Sequence, residues 1–268
     1  MKIDYYLIDP TRNTTILAEG NIVKTKMAKY GADLMKLEPI AEQAGFVSLN
    51  PKAKNIDIVL EMAAGEFCGN ATMAAAALFC EKARMPRGES QDVTVSVSGT
   101  PDPVEVHIEK TESGKYRGTV NMPRPLSVTD RELVYGGVKY RLTLVDFGGI
   151  KHLIAEDIRD RFTAELMIKQ WCKELEADAL GLMLYNAGEN RMDPLVYVPV
   201  IDSLFWESSC ASGTTALGAY FVRRDGLPIK MKVKEPGGEL TIEADENGDL
   251  KLSGFVRILR KVEGVELS

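Results

Sequence analysis

The sequence predicts an α/β chain built as two copies of one plan. Three observations carry this. First, Cys68-Gly-Asn-Ala-Thr72 and Cys210-Ala-Ser-Gly-Thr214 each place a threonine four residues after a cysteine and lead into a run of small residues. Each run ends in a phenylalanine at the same distance, Phe79 and Phe221. Second, apolar residues alternate on either side of each motif, the period of a half-buried strand. Third, Asn121-Met-Pro-Arg-Pro125 followed by polar Ser127-Val-Thr-Asp130 punctuates the chain between the copies.

In the first copy, Ile56 to Leu60 reads as a strand that turns through Ala63-Ala64-Gly65 into the Cys68 segment. A helix is expected from about Thr72 to Ala83, then a strand on Val93, Val95 and Val97. Gly99-Thr-Pro-Asp turns the chain, and Val104, Val106 and Ile108 return it. In the second copy the strand is Leu195 to Val200 and the helix about Thr214 to Arg224. Met231 and Val233 form the next strand, Pro236-Gly237-Gly238 turns it, and Leu240 and Ile242 return. An amphipathic helix, about Ala164 to Leu175, also belongs to the second half. Recurrence of one order of elements marks an internal duplication.

At 268 residues the chain can bury a substantial core without disulfides or metals. A formal net charge of -6 and the lack of a lysine-arginine run argue against nucleic-acid and membrane-surface partners. No apolar stretch approaches the ~20 residues that span a bilayer, and Met1-Lys2-Ile3-Asp4-Tyr5-Tyr6 is no signal core. A cytoplasmic protein with a small-molecule substrate is expected.

The cysteines are Cys68, Cys80, Cys172 and Cys210, with no Cys-x-x-Cys pair and no zinc spacing. Cys80 and Cys172 sit in apolar helical patterns and read as small core residues. Cys68 and Cys210 precede helices, where unpaired N–H groups and the helix dipole are expected to lower a thiol pKa. The same N–H groups can hold a carboxylate. Serine, threonine, aspartate and asparagine are the favoured caps, so cysteine chosen twice needs a chemical reason. One thiolate removing a Cα proton and an opposite thiol returning one would invert a stereocentre. An amino-acid racemase or epimerase is therefore expected, with Cys68 and Cys210 as catalytic groups.

His152, after Asp146-Phe-Gly-Gly149, is either a proton-transfer partner of one cysteine or a turn histidine. Glu207, three residues before Cys210, is either the partner of the other thiol or a surface carboxylate, and Asp202 is a weaker substitute. His107, in the Val104-Glu-Val-His-Ile alternation, is expected to face solvent. Asn13 either binds substrate or makes an Asx-turn. Gly69, Asn70, Ala211, Ser212, Gly213 and Thr214 complete the expected substrate-binding set around the two helix starts.

The two cysteine motifs resemble those of the diaminopimelate epimerase and proline racemase superfamily of cofactor-independent, two-cysteine racemases. The likeness spans nearly the whole chain. Within it, Asn13-Thr-Thr-Ile-Leu17, Gly65-Glu-Phe-Cys-Gly-Asn-Ala-Thr-Met73, Pro194-Leu-Val-Tyr-Val-Pro199, Trp206-Glu-Ser-Ser-Cys-Ala-Ser-Gly-Thr214 and Glu235-Pro-Gly-Gly238 resemble the histidine racemases of staphylopine-type metallophore pathways. The resemblance implies two pseudo-symmetric domains, each a β-barrel-like sheet around a central helix, with the active site in the interdomain cleft. It implies residues 1–123, with 255–268 returning, as one domain and 124–254 as the other. It further implies no pyridoxal phosphate or metal, and a homodimer.

Two departures bear on substrate. Diaminopimelate epimerases carry a Glu-Arg-Gly stretch whose arginine holds a distal carboxylate, but Ile201-Asp-Ser-Leu-Phe-Trp206 here has no arginine. A buried distal carboxylate would lack its partner, while Phe205 and Trp206, if they face the site, suit a flat side chain such as that of histidine. The superfamily's Gly-Asn-Pro-His turn reads Gly149-Ile-Lys-His152, which keeps the histidine and loses the asparagine. Diaminopimelate epimerase remains the alternative, with a dithiol redox protein as a reading from a different class.

Overall fold

The computed structural model describes residues 1–20, 22–49, 53–226 and 228–267. The chain divides into two compact units, Met1–Asn121 with Ser253–Ser268, and Met122–Leu252.

In the first unit the strands are β1 (Lys2–Pro10), β2 (Thr15–Glu19), β3 (Gln43–Ser48), β4 (Ile58–Met62), β5 (Ser90–Val97), β6 (Val104–Lys110) and β7 (Tyr116–Asn121). They pair in chain order, and the last strand of the chain, Leu250–Glu266, follows β7 and pairs antiparallel with β1. Eight strands thus form a closed barrel. Closure leaves no sheet edge exposed. Val93, Val95, Val97, Val104, Val106 and Ile108 are all buried, as their alternation predicts.

Helix α2 (Gly69–Lys82) contacts β1, β2, β4, β5, β6 and β7. Every residue from Gly69 to Leu78 is buried, so this helix is apolar all round and belongs inside a sheet. The alanines Ala74 to Ala77 are what let strands approach it from several sides. Gly118 on β7 completes that fit, since a Cβ there would stand 2.9 Å from Met73 Cγ.

Helix α1 (Lys24–Leu37) is not among the expected elements. It packs on β3 through Met27, Tyr30, Gly31 and Leu34, an i, i+3, i+4, i+7 stripe. Its start is hidden because Val23 supplies no side-chain cap. Beyond its end, Glu38 is buried and accepts from Tyr5 Oη at 2.5 Å and from Arg260 Nη2 at 2.7 and 2.5 Å. That cluster ties the helix to β1 and the last strand. Glu38→Gln halves the charge-assisted bonding and is expected to cost about 1–3 kcal/mol, read as a lower denaturant midpoint. An unchanged midpoint would refute this role.

The second unit holds β8 (Ser127–Tyr135), β9 (Val138–Asp146), β10 (Lys151–Ala155), β11 (Leu180–Asn186), β12 (Arg191–Val198), β13 (Ser203–Trp206), β14 (Ile229–Glu235) and β15 (Gly238–Ala244). Their order is β15-β14-β12-β11-β10-β9-β8, with β13 paired to β12. The expected strand from Leu195 to Val200 stops at Val198, and Pro199–Ile201 forms a single 3₁₀ turn.

Helix α3 (Arg161–Glu174), capped by Asp160, packs on β11 and β12 around the fully buried Trp171. Helix α4 (Ala211–Asp225) contacts β8, β9, β10, β11, β14 and β15, and is buried from Gly213 to Ala219. Cys80 and Cys172 are core residues, as expected. Among the described residues no helix is long and apolar enough to cross a membrane.

Candidate active site

Both motif cysteines are helix N-caps. Cys68 precedes α2 with φ -134° and ψ 112°, and Cys210 precedes α4 with φ -126° and ψ 104°. Cys68 Sγ accepts from Ala71 N at 3.4 Å, and Cys210 Sγ from Gly213 N at 3.2 Å. The helices begin three residues earlier than the apolar pattern predicts, because Gly69-Asn70-Ala71 and Ala211-Ser212-Gly213 already form the first turn.

In each helix the next N–H closes on the cysteine carbonyl, Thr72 on Cys68 O and Thr214 on Cys210 O, both at 2.9 Å. Gly69 on α2, and Ala211 and Ser212 on α4, lie in the first turn, whose N–H groups have no intrahelical acceptor. These donors beside each sulfur make a place for an anion at the positive end of a helix.

The loop before each cysteine is held by the Gly-turn of its own unit. Ser98 Oγ donates to Glu66 O at 2.9 Å and accepts from Met62 N at 2.9 Å. Gly99, at φ +80°, lies so close beneath this loop that a Cβ would stand 2.1 Å from Phe67 N. In the second unit Gly237 N donates to Ser208 O at 2.6 Å.

Glu235, at the end of β14, reaches the head of α4. Its Oε2 accepts from Cys210 N at 2.6 Å, and its Oε1 accepts from the Thr214 hydroxyl. The glycine turn after it is legible in the sequence, but this carboxyl is not, because the contact joins segments far apart in the chain. Thr214 is thus spent on Glu235, not on an open site.

His152 is wholly buried on β10. Its Nε2 lies 3.0 Å from Ser212 Oγ, which lies 3.5 Å from Cys210 Sγ. A line of proton-exchanging atoms therefore runs from the thiol through Ser212 to the imidazole. His152 Nδ1 has no hydrogen-bond partner among the described residues. Burial pushes the imidazole pKa down to about 3, so the ring is neutral across the physiological range. Phe147 meets it edge-on at 6.0 Å.

The expectation of a lowered thiol pKa fails at Cys210. Burial pushes it well up, and the charges of Glu207 and Glu235 push the same way. The thiol also hydrogen-bonds Glu207, while Ser212 acts in the opposite sense. The free N–H groups of the helix cannot offset the loss of water together with two nearby carboxyls. Cys210 in the unliganded protein is a thiol, and Glu207 is its neighbour, as the sequence spacing allows.

Other expectations divide. Asp202 is exposed and bonded to Lys169 Nζ at 3.1 Å and Tyr197 Oη at 3.0 Å, so it is no partner of a thiol. Trp206 donates from Nε1 to Glu165 at 2.7 Å and lies under Arg161, against α3. Phe205 stays exposed. Asn13 is buried, but its amide donates to Glu42 Oε2 at 2.7 Å and accepts from Gln43 Nε2 at 2.6 Å. Asn70 is buried in the first turn of α2 beside Cys68. His107 is exposed and pairs with Asp92 at 2.7 Å. Among the described residues no group of three or more His, Cys, Asp or Glu side chains is placed to hold a metal ion.

Known proteins locate this arrangement. Residues 2–262 match the family described as the histidine racemase CntK N-terminal domain. The chain belongs to this histidine racemase family. A histidine racemase of Fusobacterium nucleatum subsp. nucleatum is 31% identical over 96% of this chain and 95% of its own length. A histidine racemase of Staphylococcus aureus is 27% identical over 90% of this chain and 88% of its own. Among solved structures, the fold is similar to a hydroxyproline epimerase from Agrobacterium vitis, with a TM-score of 0.74 at 11% identity, covering 98% of this chain and 93% of that one. It is also similar to a methylitaconate-delta-isomerase, with a TM-score of 0.61 at 9% identity, covering 98% of this chain and 95% of that one. This member of the histidine racemase family is accordingly an isomerase, an amino-acid racemase or epimerase.

Proposed function

We propose that the protein interconverts L- and D-histidine by proton transfer at Cα, without pyridoxal phosphate or a metal, using Cys68 and Cys210 as the two bases. The observation that carries this is the placement of a cysteine as N-cap of both α2 and α4, each sulfur beside first-turn N–H groups. The substrate is taken from the relatives named histidine racemase over nearly their full length, and from the missing arginine in 201–206. The reading requires two pseudo-symmetric units that bring the cysteines to opposite faces of one Cα.

In this reading the substrate carboxylate sits at the heads of α2 and α4, on first-turn N–H groups such as those of Gly69, Ala211 and Ser212. Those donors strengthen as charge moves from Cα into the carboxylate during proton removal. In one direction a Cys68 thiolate takes the Cα proton and the Cys210 S–H gives its proton to the other face. The product is the opposite enantiomer, with a Cys68 thiol and a Cys210 thiolate. The buried, protonated state of Cys210 suits it to be the donor in that direction. Reprotonation of Cys210 runs from Glu207, the carboxyl hydrogen-bonded to the thiol.

The test is incubation of reduced protein with L-histidine in D₂O without pyridoxal phosphate, followed by chiral chromatography and mass spectrometry. D-histidine with one Cα deuterium is the expected product. Exchange with LL-diaminopimelate and none with histidine would overturn the substrate. No exchange in either, with thiol-dependent electron transfer instead, would overturn the chemistry.

A further inference from the structure

Among the described residues three buried carboxyls lie outside the expected catalytic set, and two of them have a cation. Asp9 pairs with Arg257 at 2.6 Å and Glu38 with Arg260 at 2.5 Å. Glu235 is 4% exposed, and no lysine, arginine or histidine among the described residues stands within ion-pair distance of it. Its two oxygens are instead spent on the head of one helix, on the Cys210 N–H and the Thr214 hydroxyl. A buried carboxylate without a cation is costly, and such a group stays protonated instead. A hydroxyl can donate to a carboxylate or accept from a carboxylic acid, so both contacts survive protonation.

We propose that Glu235 is a positioning residue for Cys210, working as an uncharged carboxylic acid that clamps the Cys210 N–H and the Thr214 hydroxyl and so fixes the sulfur at the head of α4. The inference rests on the reading of Cys210 as a reacting thiol. An intrahelical glutamate would reach the cap N–H from the third helical position, as in a capping box. That position is Gly213, and a Cβ there would lie 2.3 Å from Met183 Sδ and 3.1 Å from Cys210 Sγ. The acid therefore comes from β14.

The titratable groups around the clamp are few. Glu207 and Asp193 face Glu235, and Glu207, Glu235 and Ser212 face Cys210, with His152 beyond Ser212. Burial pushes Glu235 up to about 8, opposed by its two hydrogen bonds and assisted by the Glu207 and Asp193 charges. In alkaline solution the clamp becomes a negative charge beside a sulfur that must itself ionise.

The experiment compares wild type, Glu235→Gln and Glu235→Ala as full-length protein. Glutamine has the shape of the neutral acid, with a donor for Thr214 and an acceptor for Cys210 N–H. Alanine has neither. Iodoacetamide labelling of the Cys210 peptide is followed by mass spectrometry from about pH 6 to about pH 10, with kcat and KM for racemisation in parallel. Glu235→Ala is expected to lower kcat about tenfold or more with KM little changed, and Glu235→Gln to restore most of that loss at neutral pH. Above pH ~8, Cys210 in Glu235→Gln is expected to label about threefold or more faster than in wild type, because the added charge is gone.

A folded Glu235→Gln protein as impaired as Glu235→Ala at neutral pH would overturn the neutral-acid clamp. Superimposable labelling curves for wild type and Glu235→Gln would overturn it as well. Should Glu235→Ala fail to fold, the glutamine comparison decides alone. Labelling needs no substrate, so a mistaken substrate would show as absent turnover in wild type while the labelling difference remained.

Discussion

Cys68→Ser and Cys210→Ser are each expected to abolish racemisation, by about 10³-fold or more, while leaving the fold intact. Serine is among the best N-caps, and its oxygen can accept from Ala71 N or Gly213 N where sulfur does now. Stability therefore holds or rises while the acid-base group is lost, since an aliphatic hydroxyl neither ionises nor gives up a proton at the pH where a thiol does. A two-base enzyme makes a sharper demand. Each single variant keeps one thiol, so any remaining Cα exchange is confined to one enantiomer, and to opposite enantiomers in the two variants. The measurement is deuterium uptake into L- and D-histidine incubated separately, with thermal unfolding as the control. Exchange of both enantiomers by either variant would leave one cysteine without a catalytic role. Loss of exchange in one variant alone, with inversion intact in the other, would point to a single-base mechanism.

The parts of this protein that repeat locally were readable, and the parts that depend on distant neighbours were not. Strands β5, β6, β14 and β15 follow alternating apolar residues that really do face inward, as at Val93, Val95, Val233 and Leu240. The cysteine motifs mark α2 and α4 because a cap and the small residues after it lie within one short window of sequence. Helix α1 escaped because its first turn carries two lysines and no capping side chain, so nothing announces where its stripe begins. Glu207 is legible as a near neighbour of Cys210, and Ser212 as part of the same turn. Their link to His152 depends on β10 meeting the head of α4, which no spacing encodes.

The error over the Cys210 thiol has the same origin. A helix N-terminus is visible in sequence and favours an anion. Burial is invisible there, and with the Glu207 charge it reverses the outcome. The partners of Trp206 are equally out of reach of the sequence. This residue lies beside the motif in sequence, yet its indole is held by Glu165 and Arg161 of α3.

His152 carries the second large effect, on stability toward acid. Its place depends on Gly181, its register partner on β11, where a Cβ would stand 2.1 Å from the imidazole Nδ1. The ring is therefore walled in, with one polar contact through Nε2 and none through Nδ1 among the described residues. Unfolding returns it to water, where its pKa is 6.5 against about 3 in the fold. Between these values the unfolded chain binds a proton that the native state does not. Stability must then rise with pH through that window, or equally be lost as pH falls from 6.5 toward 3. The contribution of one such group is about 1.4 kcal/mol per pH unit. Denaturant unfolding of wild type and His152→Gln, measured from neutral to mildly acidic pH, isolates it. Wild type is expected to weaken along that slope beyond the general acid trend of its carboxylates, and His152→Gln to show a flatter profile. Parallel profiles would mean that the imidazole takes up its proton at the same pH in the fold as in the unfolded chain. An imidazole that protonates within the fold could hand its proton through Ser212 to a Cys210 thiolate, and Glu207 would no longer be the sole donor.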